Sequence, residues 1–310
     1  MAEYCLDMAA LAKDSEVELV AGVELGGTKC VCILAGSPSH IVAQKSFPTT
    51  TPAETLGAIR RTLAEWQEAT RFRALGIASF GPVDLDPSSD FFGSITSTTK
   101  PGWSDTDVLG ALTEDFPGMA AFDTDVNGAA LAEMRWGAGQ GLSDFAYITV
   151  GTGVGVGLIV NGEATRGFAH CELGHIRIPR LPGDDWPGSC PYHGDCVEGL
   201  ASGTAITARL SGRRVSDVAP TDPIWEGVAH AIAQLCHVIV CTAAPKRIVV
   251  GGGVTAKQPQ LIPRIEALLR QSLAGYLELP LADAYVAAPE LGPQAGPLGP
   301  IALAKDLLTA

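Results

Sequence analysis

Apolar positions along the chain change their period several times, and those changes mark out its elements. Residues 19–34 read as two β-rich runs, Leu-Val-Ala-Gly-Val-Glu-Leu and Cys-Val-Cys-Ile-Leu, around Gly26-Gly27-Thr28-Lys29. A run, a glycine turn and a second run predict a hairpin. Over residues 52–67, Leu56, Ile59, Leu63 and Trp66 fall at helical spacing. Residues 74–79 form a short apolar strand stopped by Phe80-Gly81-Pro82, and residues 120–122 form another that delivers Asp123-Thr124-Asp125. The Ala-rich residues 128–137 read as helix.

The opening pattern then returns. Over residues 145–160 the runs Phe-Ala-Tyr-Ile-Thr-Val and Gly-Leu-Ile-Val flank Gly151-Thr152-Gly153-Val154-Gly155. A helix–strand stretch over residues 224–250 ends on Gly251-Gly252-Gly253. Two halves that each open with a hairpin turned by Gly and Thr imply duplication of one α/β unit. The cleft between such lobes is the default active site. The expected division is 1–125 and 126–310, with a closing helix near residues 298–308 packing back on the first lobe. Residues 1–18 read as a short, loosely held polar lead-in.

Bulk properties fit this picture and remove alternatives. A chain of 310 residues exceeds a typical single domain, and its hydrophobic fraction of 46% is enough for a sizeable core. The net charge of -13 disfavours a general nucleic-acid or anionic-membrane binder. Phosphate can still be held by backbone amides. No apolar run approaches the ~18–20 residues of a bilayer span. The N-terminus carries acids where a secretory leader would carry Lys or Arg, so the cytoplasm is the expected location. The eight cysteines do not form a disulfide framework. Cys30, Cys32, Cys236 and Cys241 read as buried small hydrophobes.

Four constellations carry chemistry. Gly26-Gly27-Thr28-Lys29 exposes amides, a hydroxyl and a cation at one tight turn suited to cradling phosphate, and Gly151-Thr152-Gly153 offers the same without the cation. Either alone could be a plain hairpin turn; the matching pair reduces that reading. No G-x-x-x-x-G-K-[ST] loop is present. The glycines at 151, 153, 155 and 157 alternate inside a strand pair, unlike a dinucleotide fingerprint. In Asp123-Thr124-Asp125-Val126-Asn127, an aspartate at a strand end suits a general base, with Asp125 favoured for chemistry and Asp123 or Asn127 for capping. His175 with Cys190-Pro-Tyr-His193-Gly-Asp-Cys196 supplies four ligands and no open position, the signature of a structural zinc site. Glu172 and Glu198 bracket it. Each could hold a polyol through hydroxyl hydrogen bonds, or be a solvated loop charge.

With these residues in view, the sequence from Leu19 onward closely resembles the ROK family of bacterial sugar kinases, and within it the zinc-containing fructokinases. Gly22-Val-Glu-Leu-Gly-Gly-Thr-Lys29 is similar to the family's first phosphate motif, and Gly151-Thr-Gly-Val-Gly155 to its second. Residues 78–84 and 93–103 resemble its sugar-lobe loops. Residues 123–127 resemble the segment with the catalytic aspartate, Glu172-Leu-Gly-His175 the E-x-G-H element, and residues 190–203 the branch-specific Cys-x-x-His-x-x-Cys loop. Gly251-Gly-Gly-Val254 resembles the adenosine-contacting turn. Two positions depart from the commoner pattern: Glu24 stands where many relatives have Asp, and Thr124 where many have Asn.

The resemblance implies a two-lobed, actin-like (ribonuclease H-like) α/β fold. It also implies an ATP-dependent hexose kinase acting on O6 of fructose, with mannose, glucose or N-acetylhexosamine as alternatives. Asp125 would be the catalytic base. Glu172, His175, Glu198, Thr98 and Gly81 would contact sugar. Gly26, Gly27, Thr28, Lys29, Gly151, Thr152, Gly153, Gly251, Gly252 and Gly253 would bind ATP. Glu24 would assist Mg²⁺, and structural Zn²⁺ would be held by His175, Cys190, His193 and Cys196. A homodimer is the implied assembly, with no nucleic-acid or membrane partner. Family relatives include sugar-sensing repressors, but their helix-turn-helix domain has no counterpart in the 18 residues before Leu19.

Overall fold

The computed structural model describes residues 17–280 and 284–309. The lead-in expected at residues 1–18 therefore lies almost wholly outside the described residues. The chain divides into two compact units. One holds the chain up to Trp136 with Thr165–His170 and the segment from Pro293 onward; the other holds Gly137–Ala164 and Cys171–Gly292.

In the first unit, β1 (Val20–Leu25), β2 (Lys29–Ser37) and β3 (His40–Pro48) form an antiparallel meander. Helix α1 (Pro52–Thr70) follows, then β4 (Ala74–Ser79), the short pair β5 (Ser94–Ile95) and β6 (Thr106–Asp107), helix α2 (Val108–Thr113), β7 (Met119–Thr124) and helix α3 (Asp125–Trp136). The main sheet has the order β3-β2-β1-β4-β7, with β1, β4 and β7 parallel. Helix α1 begins where the Thr51 side chain accepts from Glu54 N and Pro52 takes the first turn. Its buried stripe is Leu56, Ile59, Leu63 and Trp66, the spacing expected of a helix laid on a sheet.

The C-terminal helix, Ala295–Asp306, completes this unit by packing against β1, β4 and α3. The approach is close: a Cβ on Gly76 of β4 would lie 1.8 Å from the Pro300 carbonyl oxygen. Only glycine fits there. The whole of α3 stays with the first unit because it is clamped to the C-terminal helix, and the units part after Trp136.

The second unit repeats the plan with β8 (Phe145–Val150), β9 (Val154–Val160) and β10 (Glu163–Ala164), then the short helices α4 (Val197–Ala201) and α5 (Gly203–Arg209). Helix α6 (Ile224–Ala243), β11 (Arg247–Gly251), α7 (Gly253–Lys257), α8 (Leu261–Leu273) and β12 (Val286–Ala287) follow. Its sheet has the order β10-β9-β8-β11-β12, with β8, β11 and β12 parallel. Each unit thus joins an antiparallel meander to parallel strands through helices, the α/β duplication expected from the sequence.

Helix α6 has 20 residues and is apolar enough in length and composition to cross a membrane, although Glu226, His230, Gln234 and His237 interrupt the run. Trp225, Val228, Ile232, Leu235 and Ile239 are buried in the second unit, so its apolarity makes core. Cys241, expected to be buried, is exposed. At ~100° per residue it lies ~140° around the helix from the buried Cys236.

Candidate functional site

Strand register decides which loops meet in each unit. In the first, Leu25 pairs with Ser79, and Ser79 pairs with Thr124. The carboxyl ends of β1, β4 and β7 are therefore level, and that edge is where ligands bind in open α/β sheets. From it emerge the turn at residues 26–29, the Phe80-Gly81 segment and Asp125. In the second unit Gly251 pairs with Thr149, so the turns at residues 151–153 and 251–253 leave β8 and β11 on one edge.

The turn at residues 26–29 is closed by Gly26 N donating to Lys29 O at 3.1 Å and braced by the Thr49 hydroxyl donating to Gly26 O at 2.7 Å. Lys100 Nζ donates to Thr49 O at 3.0 Å, and Trp103 Nε1 to Thr50 O at 2.8 Å. The loop bearing Thr98 is thereby tied to the same support. Gly27, Thr28 and Lys29 are exposed, and Thr98 is half-buried. Glu24, two residues before the turn, reaches over Gly296, where an added Cβ would meet its Oε1 at 2.2 Å. Burial pushes its carboxyl up from 4.5 to about 7, against the pull of Lys29.

Asp125 is the first residue of α3 and is half-buried. Capping falls differently from the expectation, which gave it to Asp123 or Asn127. The Thr124 hydroxyl accepts from Asn127 N at 3.1 Å. Asp123 lies beneath, its carboxylate accepting from Thr124 N and Asn127 Nδ2, both at 2.7 Å, and from Arg166 Nη2 at 3.2 Å. Burial raises the Asp123 carboxyl, and these donors and Arg166 oppose the rise. Thr124, where a family Asn was expected, thus shapes the backbone that presents Asp125.

Arg166 and His170 escaped the sequence reading. They flank a tight loop in which Gly167 N donates to Ala169 O at 3.0 Å. His170 Nε2 accepts from Val83 N at 3.1 Å and sits over Gly81. A lone Arg and a lone His in a loop give no local signal; their partners lie 43 and 87 residues away.

In the second unit, His175, Cys190, His193 and Cys196 converge, their ligand atoms all within 4.8 Å of one another. His175 Nδ1 is 3.7 Å from both Cys190 Sγ and Cys196 Sγ, and His193 Nδ1 is 3.7 Å from Cys190 Sγ. Nitrogen and sulfur bound tetrahedrally to zinc lie about 3.6 Å apart, so the donor set fits that ion. Cys190 and Gly194 exchange backbone hydrogen bonds at 2.9 and 3.1 Å, which folds the loop back on itself. Cys196 caps α4. Without a cation, burial and the Cys190 thiol beside it push the Cys196 thiol up to about 11. A bound metal reverses that preference. Arg180 braces the loop by donating to Asp184 O, Trp186 O and Asp195, and Arg209 forms a two-pronged pair with Asp184 at 2.8 Å.

The turn at residues 151–153 rests on this assembly. Gly203 N donates to Gly151 O at 2.7 Å, and the Thr204 hydroxyl to Thr152 O at 2.8 Å. Glu198 Oε2 accepts from Val154 N at 3.0 Å, while its Oε1 lies 3.9 Å from His175 Nε2. Glu172 is exposed. Gly252 takes a left-handed φ of 93° against β8, and Gly253 is open to solvent.

Residues 20–307 match the profile of the ROK family. The chain is 42% identical over 291 residues to the fructokinase of Zymomonas mobilis, covering 91% of this chain and 95% of that one. It is 40% identical over 290 residues to the fructokinase of Pediococcus pentosaceus, covering 94% and 99%. Among solved structures, a ROK glucokinase from Streptomyces griseus in complex with glucose and AMPPNP matches with a TM-score of 0.74 at 26% identity, covering 93% of this chain and 99% of that one. By the extent of the profile match and these identities, the chain belongs to the ROK family.

Proposed function

We propose that the protein is an ATP-dependent fructokinase that transfers the γ-phosphoryl group of ATP to O6 of fructose. The observation that carries this reading is the level edge of β1, β4 and β7, which presents a glycine turn, the Gly81 segment and Asp125 side by side. Its likeness to fructokinases over nearly the whole chain supports the choice of sugar.

In this reading the backbone amides at Gly26, Gly27, Thr28, Gly151, Thr152 and Gly153, with Lys29, receive the phosphates. Residues 251–253 receive the adenosine. Asp125 accepts the proton of the attacking hydroxyl as that oxygen approaches phosphorus in line. Glu172, Glu198, His175, Gly81 and Thr98 orient the sugar ring. The Mg²⁺ that accompanies ATP neutralises phosphate charge when bound, with Glu24 as the assisting carboxylate. Zinc would be held by His175, Cys190, His193 and Cys196; with all four ligands from the protein, it orders the loop rather than activating water. Mannose and glucose, which are aldoses, and N-acetylhexosamines, which add an acetamido group, are the competing substrates that the pocket contacts must tell from the ketose fructose. A homodimer belongs to the same proposal and is tested by sedimentation.

Asp125→Asn tests the assignment. A general base contributes about 10²–10⁴-fold, so turnover should fall by that factor while sugar binding stays measurable by calorimetry. Near-normal turnover removes Asp125 from the role.

A further inference from the structure

One short stretch of the second unit serves both the metal-ligand cluster and the second phosphate turn. Within residues 196–204, Cys196 belongs to the four-residue cluster, Glu198 reaches Val154 N, and Gly203 and Thr204 hold Gly151 O and Thr152 O. Glu198 alone faces both ways. Its Oε2 accepts from Val154 N at 3.0 Å, and its Oε1 stands 3.9 Å from His175 Nε2. His175 turns its other nitrogen, Nδ1, toward Cys190 Sγ and Cys196 Sγ. The fit at the turn is tight, since a Cβ on Gly153 would meet Glu198 Oε2 at 2.5 Å.

We infer that Glu198 is a positioning residue that couples metal binding at the Cys/His cluster to phosphate binding at the turn of residues 151–153. A metal on Nδ1 leaves the proton of the His175 ring on Nε2, facing the Glu198 carboxylate. The N–H facing it restrains the carboxylate, and the restrained carboxylate holds Val154 N and the turn in the shape that receives phosphate. Removing the metal frees the ring and loosens the carboxylate's hold on the turn. Because coupling is reciprocal, nucleotide on the turn strengthens metal retention by the factor with which metal strengthens nucleotide binding. The inference rests on the kinase reading for what binds the turn. It gives Glu198 a task separate from any contact with sugar.

The test measures zinc release from the zinc-loaded protein to excess chelator, without sugar and without turnover, with and without Mg²⁺ and a non-hydrolysable ATP analogue. Analogue binding is measured separately by calorimetry. In the native protein, saturating analogue should slow release by about five-fold or more, the lower end of ordinary coupling. In Glu198→Ala the ratio should fall to one while zinc and analogue each still bind. Glu198→Gln keeps an acceptor for Val154 N but loses the charge facing His175. It should recover analogue affinity without recovering the ratio, and its near-identical shape keeps the test available where the alanine variant fails to fold. Equal release rates in the native protein that binds the analogue, or full coupling in both variants, overturn the inference and leave the kinase reading standing. Failure of the native, zinc-loaded protein to bind the analogue overturns both.

Discussion

Arg166 donates to the buried carboxylate of Asp123 at 3.2 Å, joining the loop before Cys171 to the strand end that presents Asp125. Asp123 is 2% exposed and Arg166 44%. Losing one partner of a fully buried pair costs about 3–5 kcal/mol. With Arg166 half in water, that figure is discounted to about 1–2 kcal/mol. Arg166→Ala should therefore lower Tm by about 2–8 °C and reduce kcat, as the turn before Asp125 loosens. Adding Asp123→Asn should recover part of the stability, since Asn still accepts from Thr124 N and Asn127 Nδ2 but carries no unpaired charge. Thermal melts of the two single variants and the double variant check this; strictly additive losses would remove the pair from the account.

Glu24 gives a pH signature. Its carboxyl sits at about 7 in the folded protein against an ordinary 4.5, through burial. Between those values the folded state holds a proton that the unfolded state has released, so this group makes stability fall as pH rises through the window. Glu24→Gln should flatten that slope in denaturant titrations made from pH 5 to 7.5. An unchanged slope would mean that Glu24 is ionised throughout the window.

Metal removal has a separate readout. The loop from Gly188 to Cys196 turns through left-handed glycines and is closed on itself by the Cys190–Gly194 bonds, with little apolar packing of its own. Cys190→Ser should lose bound zinc, and loss of a structural metal belongs to the largest single-site costs, over about 4 kcal/mol. A Tm drop of about 10 °C together with loss of metal by elemental analysis is expected. A variant that stays metal-free, folded and at native Tm would refute the scaffold role.

Much of the site was legible because its signals are local. The two hairpins announce themselves by apolar runs around Gly and Thr, and His175, Cys190, His193 and Cys196 announce themselves by ligand type and spacing. What escaped depends on register and long-range contact. The alignment of Leu25, Ser79 and Thr124 is a property of strand pairing, which no single segment encodes. Arg166, His170 and the contact from Glu198 to Val154 N join segments 43, 87 and 44 residues apart. The exposed Cys241 was misjudged for a related reason: apolar content alone does not say which helix face meets the core. Thr124 was noted only as standing where many relatives have Asn, while the structure uses its hydroxyl at the start of α3.

The central claim is tested most directly by ADP release from Mg-ATP across fructose, mannose, glucose and N-acetylhexosamines, read against a blank without sugar, using folded and zinc-loaded protein. The account predicts sugar-dependent ADP with fructose giving the highest kcat/KM and phosphate appearing on O6. Flat rates for every sugar would contradict it.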